Sequence, residues 1–498
     1  MRAFGLATLA GIAYFLGFIG FGIWPLVFVF PALLLAALEG ASPRRAFLLG
    51  AWTGFVALCG GYYWVVQLLI QFAGLAWPLA VLGYVLLNLF QGALWGVAAA
   101  LTAWVRDRGR IAPEWALIPA VVIAERFYPL IFPSYVAASF FEVPYLTQTA
   151  DLGGVLLVDA TIMLVGGGLY RAVRARNLSA RPLVVAGAVL AFTLLYSVAR
   201  ISMVNAELDT LPKLRVGLIQ SNLGAADKTT RRKEFLRRHQ QMSRAAVVAD
   251  PGIELLVWPE AAFNRAIHRA RKSVRFDITK DIPRPVLSGA LSIGEVDEER
   301  RVYNSAVLTS STGDIRGWYD KIYLVAFGET LPLSDTFPAL KKWFPRTGTF
   351  DRGQSYQSLR LDDGTKLLPM ICFEDLIGQL VRDIWNADGP PAALVNVTND
   401  SWYGDTHEPR IHLALAALRS IESRRSLIRS TNTGISAVID PAGRVIDQTG
   451  QWKQEILIAD VPLVTDGRST LYILLGNWVV WVSAAFILGL VVWRRRTP

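Results

Sequence analysis

A cysteine, a lysine and several glutamates lie in segments where covalent acyl chemistry could be run. Cys372 closes the apolar run Leu368-Pro369-Met370-Ile371-Cys372 and is followed by Phe373, Glu374 and Asp375. A helix over residues 376–385 is the expected continuation. A thiol at such a strand-to-helix corner is open to substrate, and the helix dipole there favours thiolate. The segment Val257-Trp258-Pro259-Glu260 sets a carboxylate just past the end of a buried strand. Trp318-Tyr319-Asp320-Lys321 leads into a run ending in Phe327-Gly328-Glu329, so a lysine and a second carboxylate stand eight residues apart. A free thiol has a pKa of about 8.5 and needs a base at neutral pH, which a carboxylate can supply. A lysine ammonium can hold the thiolate and a developing oxyanion. Singly, each group also has an ordinary use. A strand-end Cys serves as a small buried hydrophobe, a Glu or Lys after a strand as solvated surface, and Trp-Pro-Glu as a strand terminator.

These residues need a scaffold that holds strand ends together. Strand-like runs cover residues 214–219, 253–258, 285–291, 367–373, 392–397, 427–430 and 434–440, with helical segments over 230–249 and 410–424. Asp440-Pro441-Ala442-Gly443 reads as a turn between two strand-like runs. The alternation predicts an α/β layered domain over residues 213–465.

The rest of the chain has a different solvent. Of 498 residues, 53% are hydrophobic and only 18% charged, against about 25% in a soluble domain. That balance excludes an ordinary cytosolic enzyme, a disordered chain and a disulfide scaffold. Apolar runs long enough for the bilayer cover residues 3–19, 21–38, 46–70, 77–105, 111–132, 155–170, 183–199 and 471–493. The first could imitate a signal peptide behind Arg2, but no small-residue cleavage site follows, so it reads as a retained span. Arg2, Arg44, Arg45, Arg106, Arg108, Arg110, Arg171, Arg174, Arg176, Arg181 and Arg494 to Arg496 all fall on one side if there are eight spans. The positive-inside rule makes that side cytoplasmic and puts the polar domain on the outer face. The expected organisation is a transmembrane domain of about seven helices over residues 1–205, the α/β domain over 213–465, a further span over 470–493 and a basic cytoplasmic tail over 494–498. The net charge of +10 is then largely topological, and no nucleic-acid partner is expected. Cys59 lies in an apolar run and Cys372 in a polar region, so the two are not read as a disulfide. With four His and no Cys/His cluster at ligand spacing, no metal is expected either.

Taken in order, Trp258-Pro259-Glu260, Phe327-Gly328-Glu329, Ile371-Cys372-Phe373-Glu374, Asn399-Asp400-Ser401-Trp402-Tyr403-Gly404-Asp405 and Thr431-Asn432-Thr433-Gly434-Ile435 resemble the nitrilase superfamily. The closer resemblance is to its integral-membrane branch, the bacterial apolipoprotein N-acyltransferases, and it covers nearly the whole chain. It implies an αββα sandwich beside the spans, and a triad of Glu260, Lys321 and Cys372 supported by Glu329, Glu374 and Phe373. It also implies a two-step reaction without cofactor. Cys372 takes an acyl chain from a phospholipid, typically phosphatidylethanolamine. The chain then passes to the α-amine of the diacylglyceryl-modified N-terminal Cys of a lipoprotein, at the periplasmic face of the bacterial inner membrane.

Two positions depart from the family. Phe373 stands where Tyr is usual, and the segment from Gln220 to Lys228 lacks a Trp often found there. Trp402, Tyr403, Asp405, Trp343, Phe344 and Arg126 are candidate substrate contacts. Asp400, Asp405 and Glu408 could meet the substrate amine or form a solvated loop. The aromatic stretch over residues 327–353 reads equally as an arm touching lipid or as packing on the domain, and Glu125-Arg126 as an ion pair or as part of a membrane-side cavity. Competing readings are a membrane-tethered nitrilase-type amidase acting on a small C–N substrate, and a non-catalytic scaffold.

Overall fold

The structure, a computed structural model, describes the chain except residues 177–180, 225–231, 297, 327, 332–335, 338, 340–341, 343–347, 349 and 497–498. The chain divides into two compact units, residues 1–204 with 470–498, and residues 205–469.

The first unit is helical. Its elements are α1 (Arg2–Gly17), α2 (Leu26–Ala37), α3 (Pro43–Gly61), α4 (Val65–Gln71), α5 (Trp77–Gly109), α6 (Pro113–Phe127), α7 (Ala150–Gly153), α8 (Val155–Ala175) and α9 (Arg181–Leu208). Helices α5, α8 and α9 are long and apolar enough to cross a bilayer, and α3 with α4 makes a fourth candidate bent by 64°. The other apolar runs do not each form one long helix. Helix α1 has 16 residues, about 24 Å at 1.5 Å per residue, against a hydrocarbon core of about 30 Å. The run over 46–70 breaks between Gly61 and Val65. Helices α3 and α5 approach so closely that a Cβ at Gly54 would lie 2.3 Å from the Gly92 carbonyl oxygen. Leu82, Leu86, Leu89 and Phe90 form an exposed apolar stripe along α5, as lipid contact requires.

The second unit is the layered α/β domain. Its strands are β1 (Lys213–Gln220), β2 (Leu255–His268), β3 (Val286–Val296), β4 (Glu299–Thr309), β5 (Ile315–Asp320), β6 (Leu359–Arg360), β7 (Lys366–Ile371), β8 (Ala393–Thr398), β9 (Ser426–Thr431), β10 (Ala437–Ile439), β11 (Val445–Gln448) and β12 (Glu455–Pro462). They form two six-stranded sheets, ordered β12-β1-β2-β3-β4-β5 and β11-β10-β9-β8-β7-β6. Each has a parallel centre, β1-β2-β3 in one and β7-β8-β9 in the other. Parallel strands with both faces covered read as near-continuous apolar runs, which is why these six are visible in the sequence. Strands β4, β5, β6, β11 and β12 are antiparallel edges or neighbours, and their mixed polarity hides them.

Helix α10 (Arg232–Ala249) covers the first sheet, and its Ser243 Oγ accepts the Trp258 indole N–H at 2.8 Å. Helices α11 (Gly378–Asp388) and α12 (Glu408–Ser423) follow β7 and β8 and border the second sheet. Between the sheets, the Ser430 hydroxyl donates to the Val257 carbonyl at 3.1 Å, and Thr431, Ser436 and Thr449 converge on the Gln220 carboxamide. The C-terminal run over 471–493 is not one continuous helix either. It breaks after Leu475 into α13 (Leu471–Leu475) and α14 (Trp478–Arg496).

Candidate active site

Glu260 is not beyond a strand end but inside β2, where the register with β3 slips between Trp258 and Phe263. The irregularity has two local causes. Ala261 takes a left-handed φ of 53°. Opposite it, Gly289 leaves room that a side chain would fill, since a Cβ there would lie 2.5 Å from the Glu260 Cα. The bulge turns the Glu260 carboxylate out of the ladder, a common use of bulges next to sites.

Lys321 follows the last residue of β5, and its backbone N–H donates to the Asn304 carbonyl on β4 at 2.9 Å. The side chain is almost wholly buried, 1% exposed, between two carboxylates: Glu329 Oε2 at 2.8 Å and Glu260 Oε1 at 3.7 Å from Nζ. Burial works to lower the Lys321 pKa, but Cys372, Glu329 and Glu260 outweigh it and raise it. The lysine therefore stays cationic. A tight turn from Val325 presents Glu329, whose Oε2 accepts the Val325 N–H at 3.0 Å.

Asn304, absent from the sequence reading, joins the two carboxylates. Its Nδ2 donates to Glu260 Oε1 at 2.8 Å and to Glu329 Oε1 at 2.7 Å. No spacing in the sequence pairs Asn304 with either glutamate. Only the β4-β5 pairing brings it there, and β4 was not legible.

Cys372 follows the last residue of β7 and opens a 3-10 turn, Cys372–Leu376, with φ of 56°. A non-glycine residue held in the left-handed region at such a corner is a common mark of a functional site. The helix expected over 376–385 forms as α11, starting at Gly378 beyond the 3-10 turn. The thiol keeps part of its surface open, yet burial pushes its pKa well above the usual range, Lys321 lowers it, and Glu260 and Glu329 add to the rise. Burial thus outweighs the helix-dipole pull towards thiolate, in keeping with a thiol that needs a base.

Phe373 places its ring 5.4 Å from the Lys321 ammonium, a cation–π contact. A tyrosine's hydroxyl is not needed for that contact. Glu374 is fully buried and accepts four hydrogen bonds, from the Tyr319 hydroxyl and the N–H groups of Ile322, Tyr323 and Ile371, at 2.7–3.0 Å. Burial lifts its carboxyl to about 7 against the opposing pull of the N–H groups and Lys321. Four donors and no acceptor fit the carboxylate, which ties the segment after Lys321 to the strand carrying Cys372.

Behind the thiol lies a second buried cluster that the sequence reading did not assemble. His412 contacts Asp375 Oδ1 through Nε2 at 2.9 Å and Asp400 Oδ1 through Nδ1 at 3.1 Å. Arg429 bonds both aspartates and donates to the Asn396 Oδ1 at 3.0 Å. Burial and Arg429 press the His412 pKa down, but Asp375 and Asp400 push it up to about 10. The ring is an imidazolium donating from both nitrogens. Asp400, Glu408 and His412 offer ligand atoms within 4.8 Å of one another, but Arg429 and His412 already supply the positive charge.

The remaining predicted contacts divide. Tyr403 is held near the site: burial, then Glu408 and Cys372, raises its phenol. Trp402 is half-buried, and exposed Asp405 accepts from Gln451 at 3.2 Å. Trp343 and Phe344 lie outside the described residues, as do residues 225–228 of the segment ending at Lys228. Arg126 belongs to the helical unit. There Glu125 is buried while Arg126 is exposed, with its guanidinium 5.6 Å from the Phe127 ring, so no ion pair joins the two among the described residues. Cys59 and Cys372 are both free thiols.

Two facing sheets that deliver a cysteine, a lysine and paired glutamates to one point define a carbon–nitrogen hydrolase domain. The family model described as Carbon-nitrogen hydrolase matches residues 215–468. The model of the apolipoprotein N-acyltransferase N-terminal domain matches residues 10–168. The apolipoprotein N-acyltransferase of Bdellovibrio bacteriovorus is 28% identical over 527 residues, covering 99% of this chain and 93% of that one. That of Bradyrhizobium diazoefficiens is 30% identical over 520 residues, covering 98% and 94%. A crystal structure of an amidase from Nesterenkonia sp. aligns with TM-score 0.36 and 19% identity, over 50% of this chain and 90% of that chain. The chain belongs to the apolipoprotein N-acyltransferase family. It is a membrane-associated acyltransferase of lipoprotein biosynthesis.

Proposed function

We propose that the acyl chain travels through a thioester on Cys372, with a phospholipid as donor. Glu260 takes the thiol proton as the sulfur attacks the sn-1 ester carbonyl, forming the C–S bond. Lys321 faces the oxyanion of the tetrahedral intermediate, a contribution typically worth about 10²–10³ in rate. Collapse breaks the ester C–O bond, and Glu260 returns its proton to the leaving lysophospholipid alkoxide. The neutral α-amine of the diacylglyceryl-modified N-terminal Cys then attacks the thioester. Glu260 takes the amine proton, the C–S bond breaks, and the proton goes back to sulfur. Ester becomes thioester and then amide, so the sequence needs no nucleotide.

The observation that carries this reading is the Lys321 ammonium held between Glu260 and Glu329 beside a half-buried, left-handed Cys372. Within it, Glu329, Glu374 and Phe373 act in support by fixing the lysine and the cysteine turn. Tyr403, Trp402 and Asp405 line the way to the thiol, and Trp343, Phe344 and Arg126 are proposed lipid-side contacts. Phosphatidylethanolamine is the proposed donor. The proposed setting is the bacterial inner membrane, with eight spans formed partly by bent or short helices, both termini cytoplasmic and the catalytic domain periplasmic. The consistent side of the arginine clusters supports that topology.

The test is the mass of a diacylglyceryl-cysteine peptide incubated with the protein and phosphatidylethanolamine. A gain of one acyl chain, lost in Cys372→Ala, is the expected result. An unchanged peptide alongside ammonia release from small amides would overturn the reading in favour of an amidase.

A further inference from the structure

The Cys372 main chain is held from behind. Asn396, buried on β8, donates from Nδ2 to the Cys372 carbonyl at 2.9 Å. Its Oδ1 accepts from Arg429 Nη1 at 3.0 Å, which fixes which end of the carboxamide faces the cysteine. Arg429 cannot swing away, because its guanidinium also bonds Asp375 and Asp400, and both aspartates are bridged by His412. All five side chains are at most 2% exposed. Asp375 itself lies three residues beyond Cys372 in the same 3-10 turn, so the network grips the turn at two points.

We propose that Asn396 is a positioning residue for the nucleophile: oriented by the Arg429–Asp375–Asp400–His412 cluster, it clamps the Cys372 carbonyl and holds the left-handed turn that aims the thiol at Glu260 and Lys321. This rests on the reading of Cys372 as nucleophile and adds a device to it. A left-handed conformation costs a non-glycine residue energy and persists only where surroundings over-determine it. One such determinant is the hydrogen bond from Asn396. Without it the turn can relax, and the sulfur leaves the line joining base and carbonyl. Misplacement of that size lowers the rate of the bond-forming step rather than substrate affinity.

The variant that isolates this is Asn396→Asp, nearly isosteric, which keeps an acceptor for Arg429 and loses the donor to Cys372. Full-length protein in detergent is compared with wild type in a Cys59→Ala background. Three quantities are measured: single-turnover acylation by phosphatidylethanolamine, the KM for that lipid, and alkylation of Cys372 by iodoacetamide. Acylation is expected to fall about 10–100-fold with KM within twofold and melting temperature within a few degrees. Alkylation should slow in parallel. Asn396→Ala should behave alike, which removes the effect of the added carboxyl group. Acylation and alkylation both within twofold of wild type would overturn the proposal. So would a rate loss matched by a collapse of the melting temperature, since Asn396 would then serve the fold alone. If wild type takes up no acyl chain, the thioester reading fails, and the alkylation comparison still decides the role of Asn396.

Discussion

Burial raises the Cys372 thiol although Lys321 opposes it, so at neutral pH the sulfur depends on a base to lose its proton. Glu260, whose carboxylate acts electrostatically on the thiol, is the proposed base. Glu260→Gln keeps the hydrogen bond from Asn304 and removes the proton acceptor. Single-turnover acylation at pH 7 is expected to drop about 10²–10⁴-fold, measured by intact mass against time, and a drop under threefold would rule Glu260 out as base. His412 carries a different pH signature. Its folded pKa is raised to about 10, above an unfolded value of about 6.5. Between these values the folded state holds a proton that the unfolded state has lost, so stability falls as pH rises. The contribution, of the order of a few kcal/mol, is complete below about pH 6.5 and gone once pH passes about 10. Melting temperature should decline steadily from pH 7 to 10, and His412→Asn should flatten that slope while lowering stability at pH 7.

At the level of elements, the parallel strands β2 and β7 carry Glu260 and Cys372, and the antiparallel pair β4-β5 carries Asn304 and Lys321. The parallel strands announce themselves as apolar runs, so the cysteine and the first glutamate were legible from local segments, and the lysine from its place eight residues before Glu329. Asn304, Asn396, Asp375, His412 and Arg429 were not. Each is defined by a partner 25 or more residues away, as in the Asn304–Glu329 and Arg429–Asp375 contacts, and no local pattern encodes such pairs. The bulge in β2 was equally hidden, because it arises from Gly289 across the sheet. Gly289→Ala tests it: the added methyl would meet the Glu260 backbone at 2.5 Å. The expected cost is about 1–3 kcal/mol in stability, read by chemical denaturation, with a loss of acylation beyond what the remaining folded fraction explains. Unchanged acylation would mean that the bulge does not set the Glu260 carboxylate.

At the scale of the molecule, the apolar helices and the catalytic domain answer different parts of the proposed reaction, in which both substrates are anchored in lipid. The apolar helices were legible from composition, but not their bounds: α5, α8 and α9 extend past the runs over 77–105, 155–170 and 183–199, while other runs are broken. Hydropathy reports apolar length and is blind to breaks such as those after Gly61 and Leu475. Orientation can be measured directly. A cysteine placed at Asp363, in a Cys59→Ala background, should react with a membrane-impermeant maleimide in intact spheroplasts, and one at Asp107 only after lysis. The reverse pattern would refute the proposed topology. The central claim is the thioester, and intact-protein mass after incubation with phosphatidylethanolamine tests it most directly, with Cys372→Ala as control. The account predicts a gain of one acyl chain, removed by neutral hydroxylamine and absent from the control. A folded wild-type protein that acylates lipoprotein peptide yet never carries the adduct, or an adduct that survives in Cys372→Ala, would contradict it.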